Sequence, residues 1–143
     1  METFKDFENI HAMLRETVGR RGKYPAYRWL SGDDQPGQVT WEEFYAEVRK
    51  VAKALMAFGV QKGDKVAIVS YSCYRWVLTD LAATSIGAVT VGIYQTLPAK
   101  DCCFIIHHSD AVLVFAEDRN QFGQDAGSSQ RDFCRPQGRS FQR

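Results

Sequence analysis

Between Thr40 and Ala116 the sequence alternates three times between a stretch with helical periodicity and a short apolar run, joined by connectors of a few residues. No other feature limits the fold as strongly. Apolar runs such as Val66-Ala-Ile-Val-Ser70 and Ala111-Val-Leu-Val-Phe-Ala116 lack the in-out alternation of a half-solvated strand. They have the composition of strands covered on both faces, as in a parallel sheet. Strands that alternate with helices form right-handed crossovers, so the expected fold is α/β: a partial doubly wound, mainly parallel sheet with flanking helices.

The helix signals are local. Thr40-Trp-Glu-Glu43 spells a capping box, in which hydroxyl and carboxylate each satisfy a first-turn amide. Trp41, Phe44, Tyr45, Val48, Val51 or Ala52, and Leu55 then fall on one face, with Glu42, Glu47, Lys50 and Lys53 largely opposite it. Gly59 is the expected stop. Further helices are expected over 74–86, apolar nearly all round, and over 99–108 after Pro98. Before this unit, Phe4, Phe7, Ile10, His11, Leu14 and Val18 predict an amphipathic helix over 4–18. Residues 26–30 and 38–40, around Gly32-Asp-Asp-Gln-Pro-Gly37, predict a β-hairpin.

Nucleotide-binding alternatives on such a sheet are testable by residue. A dinucleotide or methyl-donor site needs a glycine-rich loop after the first strand, where Ser70-Tyr-Ser-Cys-Tyr74 has no glycine. The Gly-Lys-Ser/Thr of a phosphate-cradling loop is absent, and Asp64 precedes its strand rather than ending it, against a phospho-receiver. Cys103 and His107 share a helix face, but zinc needs three or four converging ligands and no second cluster supplies them. Trp29, Trp41 and Trp76 are expected to be core anchors. The four cysteines form no CxxC pair and lack disulfide-framework spacing, which points to a reducing cytosol.

A net charge of +1 over 143 residues gives nucleic acid no broad basic field to meet. No apolar run reaches the length of a membrane span, so the expected location is cytoplasmic, with any membrane contact peripheral. The charge is unevenly placed: residues 1–124 carry 14 basic and 15 acidic groups, and residues 125–143 carry four Arg, no Lys and two Asp. That last stretch has almost no aliphatic side chains and shows neither periodicity, so it cannot offset its ordering entropy. Two domains are therefore expected: an incomplete lobe over 1–122, and an irregular tail over 123–143. The tail is either an ordinary flexible terminus or the product of a reading-frame shift or truncated gene.

Val39-Thr-Trp-Glu-Glu-Phe44, the Phe58–Ile68 stretch, Ile86-Gly-Ala-Val-Thr-Val-Gly-Ile-Tyr-Gln-Thr96 and His108-Ser-Asp-Ala111 together resemble the amino-terminal part of adenylate-forming enzymes. Tyr74-Arg-Trp76 and Thr96 lean toward the long-chain fatty acyl-CoA synthetase branch. The resemblance implies that a complete relative activates a fatty acid with ATP and Mg²⁺ to an acyl-adenylate and passes the acyl group to coenzyme A. It implies that the phosphate loop Thr-Ser-Gly-Thr-Thr-Gly and the reactive Lys lie in parts not matched here. No position is therefore carried over as catalytic, cofactor-binding or metal-ligating, and no cofactor is expected in this chain alone. The expected function is that of a truncated acyl-CoA synthetase, inactive alone, which self-associates or pairs with a complementary synthetase fragment. The competing expectation is a non-catalytic interaction module that pairs with another chain.

Overall fold

The computed structural model describes residues 6–30 and 36–117. Helix α1 (Ile10–Arg21) leads into a hairpin of β1 (Pro25–Leu30) and β2 (Pro36–Thr40). Then come α2 (Trp41–Ala57), β3 (Lys65–Val69), α3 (Tyr74–Ser85), β4 (Val89–Ile93), α4 (Ala99–His108) and β5 (Ala111–Ala116). The expected alternation is present in full, and its last helix and strand end where the sequence placed them.

Strands β3, β4 and β5 form one parallel sheet in the order β4-β3-β5. Central β3 is the most buried because it has neighbours on both sides: Val66, Ala67, Ile68 and Val69 are all inside. Its side chains divide between two cores. Val66 packs with α1, α2 and α3 through Leu14, Phe44, Val48, Leu55, Leu81 and Ala82. Ala67 and Val69 pack with Ile93, Cys102 and Ile106 below α4. Alternate residues of a strand face opposite ways, so α3 and α4 cover opposite faces of the sheet, as a doubly wound arrangement requires.

Helix ends repeat one solution. In α2, Glu43 Oε2 accepts from Thr40 N at 2.8 Å while Thr40 Oγ1 accepts from Glu43 N at 3.3 Å, completing the capping box. At the other end Gly59 N bonds Met56 O (2.9 Å) and Val60 N bonds Leu55 O (3.0 Å), with Gly59 at φ 80°. Helix α3 closes in the same way through Gly87 (φ 78°) and the Ala88 N to Ala83 O bond of 3.0 Å. Both are Schellman turns, whose left-handed residue a glycine adopts without a Cβ clash.

Two expectations need correction. Helix α1 runs over Ile10–Arg21 rather than 4–18, because Asn9 Oδ1 accepts from Ala12 N (2.8 Å) and starts the helix there. Trp29 is not a core anchor: it is 44% exposed, packed between Gly37 and the Tyr74 ring. Among the described residues Cys73 and Cys102 are free. The tail expected over 123–143 and the predicted start at Phe4 lie outside the described residues.

Candidate functional site at the carboxyl edge of the sheet

Open parallel sheets bind ligands beyond the carboxyl ends of their strands, where neighbouring connections leave toward opposite faces. Here that point lies between β3, which exits toward α3, and β4, which exits toward α4. Its surface is made by Ser70, Tyr71, Ser72 and Cys73 after β3, by Tyr94, Gln95 and Thr96 after β4, and by Glu117 after β5. Tyr71 and Tyr94 are both exposed.

Glu117 holds this edge together. Its backbone N–H donates to Val69 O at 3.1 Å, extending the β3–β5 ladder by one bond. The carboxylate Oε2 accepts from Tyr71 N at 2.9 Å and lies 3.2 Å from Ser70 Oγ. Ser70 has one hydroxyl proton and a second acceptor, Tyr71 O, at 2.9 Å, so it serves one of the two at a time. Cys73 Sγ stands 3.9 Å from the same hydroxyl. A serine next to a carboxylate, with no histidine or lysine placed between them, is a structural hydrogen bond and not an activated nucleophile.

The edge also does not fit a nucleotide phosphate. A phosphate loop offers free backbone amides to its anion. Here the Tyr71 amide already has an anionic partner, and the Glu117 charge would oppose a second anion. Among the described residues no group of three or more His, Cys, Asp or Glu side chains could hold a metal ion.

Behind this edge lies an aromatic cluster that sequence reading did not assemble. Tyr74, the first residue of α3, packs its ring against Tyr27 (5.3 Å), Phe44 (5.6 Å) and Trp29 (5.7 Å). Its hydroxyl donates a short hydrogen bond to Glu47 of α2. Burial, and then the Glu47 bond and charge, push the Tyr74 phenol well above its ordinary range. Glu47 was expected on the solvent face of α2; instead it turns to this phenol. The cluster ties the hairpin, α2 and the start of α3 into one body.

Cys102 and Cys103 face the lower core. Burial pushes the Cys102 thiol up, aided by Asp101, away from thiolate chemistry. His108 stacks on exposed Phe104 at 5.4 Å.

A three-stranded parallel sheet with flanking helices and a preceding hairpin define a partial doubly wound α/β fold. Residues 14–138 match the AMP-binding enzyme family, and the chain belongs to it. It is 36% identical over 115 residues to the long-chain-fatty-acid–CoA ligase FadD15 of Mycobacterium bovis, covering 80% of this chain and 19% of that one. The N-terminal domain of FACL13 from Mycobacterium tuberculosis superposes with a TM-score of 0.68 at 28% identity, over 77% of this chain and 27% of that domain. A third relative is itself short: the uncharacterized protein Rv1549 of M. tuberculosis is 30% identical over 81 residues, which make up 57% of this chain and 46% of that protein. The chain thus spans about a fifth of the length of the ligase it matches.

Proposed function

We propose that this chain is the amino-terminal lobe of an AMP-forming long-chain fatty acid:CoA ligase, without activity by itself. The lobe is taken to occupy residues 1–122, with 123–143 as a separate irregular segment. The reading is supported above all by the carboxyl edge, where a family that handles ATP meets a sheet end whose amide is sealed by Glu117. In this reading ATP, Mg²⁺, coenzyme A and the fatty acid belong to the complete relative. The lobe supplies the capped helix and strands on which such an enzyme is built, in the cytoplasm and peripheral to a membrane.

The test is ATP–pyrophosphate exchange with long-chain fatty acids. The chain alone, freed of host synthetases, is expected to give the rate of a blank. Electrostatic handling of the transferring group is usually the largest catalytic contribution, and no residue here supplies it. Exchange above blank sinks the proposal.

A second reading, a non-catalytic module that pairs with another chain, draws on the short relative and on the two edges of the β4-β3-β5 sheet that stay open among the described residues. Co-expression with the complementary remainder of a long-chain ligase separates the two. Recovery of exchange activity supports the lobe, whereas stable pairing with an unrelated chain and no recovered activity supports the module.

A further inference from the structure

Among the described residues the two free sides of the β4-β3-β5 sheet differ in kind. Strand β5 is bounded by Asp110 and Glu117 and takes a bulge at Val112, where its pairing with β3 jumps from Ala111 to Leu113. Bulges and charged ends blunt an edge against other chains. Two β5 strands laid antiparallel would also crowd Asp110 of one copy toward Glu117 of the other, like charge near like charge. Strand β4 has none of these protections. Val89-Thr-Val-Gly-Ile93 is uncharged and keeps unbroken register with β3.

The outer side of β4 also has main-chain groups to offer. Val89 N–H donates to Asp64 O, so Val89, Val91 and Ile93 turn their main-chain groups toward β3, and by alternation Thr90 and Gly92 turn theirs outward. Gly92, beside the Trp76 ring, is exposed in mid-strand and has no side chain to hold another backbone away. Val89 is 49% exposed and Tyr94 78%, one at each end of the strand.

A second copy of the same strand fits this edge. Register with β3 puts Thr90 and Gly92 on the α3 side of the sheet, and Val91 and Ile93 on the α4 side. Antiparallel pairing about a two-fold axis at Val91 keeps both sides matched. Thr90 then meets Gly92 of the copy as a hydrogen-bonded pair, Val91 meets Val91 as a non-hydrogen-bonded pair, and exposed Val89 meets Ile93. No charge faces a charge.

We propose that this chain forms an isologous dimer through β4, joining the two parallel sheets into one continuous sheet with β5 at both outer sides. The contact consumes the open edge and leaves only the blunted one, so assembly closes at the dimer.

Sedimentation equilibrium of the full chain at micromolar concentration tests it, with a dimer and no larger species expected. Gly92→Pro removes an N–H that points away from β3, and is expected to raise the dimer dissociation constant at least about ten-fold. Val89→Lys, which changes an exposed side chain and so spares the fold should proline disturb it, is expected to weaken the dimer as well. Ala116→Lys, the same change on β5, is expected to leave it intact. Val91→Cys meets itself across the axis at the Cα spacing of a non-hydrogen-bonded pair, about 4.5 Å, and is expected to cross-link under mild oxidation faster than the parent, whereas Val89→Cys is not. A monomer, open-ended assembly, loss of the dimer in Ala116→Lys but not in the β4 variants, or cross-linking through Val89→Cys in place of Val91→Cys overturns the proposal. Pyrophosphate exchange does not depend on this edge, so the ligase reading and this one can fail separately.

Discussion

His11 shows how the burial of a single side chain makes stability depend on pH. Its ring meets Tyr45 at 5.9 Å, and Nδ1 is buried without a hydrogen-bond partner among the described residues. Burial, and then nearby Arg15, hold its pKa below the ordinary 6.5. The unfolded chain therefore takes up the proton first. Stability is complete above pH 6.5, falls as the pH drops below it, and levels off once the folded imidazole is charged. Melting temperatures followed from about pH 7.5 to 5.5 are expected to show this fall, and His11→Phe to remove most of it at no cost at neutral pH. Tyr74→Phe acts differently, since it takes the donor from half-buried Glu47 and leaves a carboxylate unsatisfied. A loss of about 1–3 kcal/mol in denaturant unfolding is expected, largely restored by adding Glu47→Gln. A loss that Glu47→Gln does not change would mean the hydrogen bond contributes little. Sequence reading placed Glu47 with the solvated charges because helical spacing ranks residues only within one helix. The Tyr74 phenol comes from 27 residues away, and no local pattern encodes it.

Elements were more legible than contacts, for a physical reason visible at each helix end. Thr40 and Gly59 act through atoms three or four residues away, so the sequence alone marks both ends of α2. For α1 the hydrophobic spacing of Phe4 and Phe7 continued past the real start, and the Asn9 cap settled the boundary where periodicity could not. Helix α4 shows a variation on the shared ending: Asp110 takes the left-handed position at φ 55°, where α2 and α3 use glycine. Its N–H still reaches His107 O at 3.1 Å, so the turn forms despite the Cβ. Aspartate tolerates this region better than most residues but not as well as glycine. Asp110→Gly is therefore expected to stabilise the protein by about 0.5–1 kcal/mol, read as a raised midpoint with an unchanged denaturant slope. Asp110→Val is expected to destabilise it by more than that, because a β-branched residue fits this conformation worst. A Gly variant less stable than the parent would show that the Asp110 side chain makes a contribution beyond its backbone angle.

For the whole molecule, the sheet order follows from chain connectivity, but its open sides do not. Among the described residues both β4 and β5 present one unpaired edge, and Val112, Leu113, Val114 and Phe115 of β5 are only half-buried although the strand is apolar throughout. Such edges template pairing between molecules. Light scattering at micromolar concentration is expected to show self-association; a monodisperse monomer with a sharp melt would favour the self-sufficient module. The two ends of the sheet are also fastened differently. At the entry, Gly63 N bonds Gly87 O and Val89 N bonds Asp64 O, each at 2.8 Å, so backbone holds backbone. At the exit, the Tyr71 amide depends on the Glu117 carboxylate, one rotatable side chain. The exit keeps one backbone stitch, Glu117 N to Val69 O at 3.1 Å, with the carboxylate as a button beside it, so local opening is expected to begin at the Tyr71 amide. In hydrogen exchange the Tyr71 amide is expected to be freed in Glu117→Ala while Val89 keeps its protection. A partner that needs the carboxyl edge has only to undo the button, leaving the rest of the lobe shut.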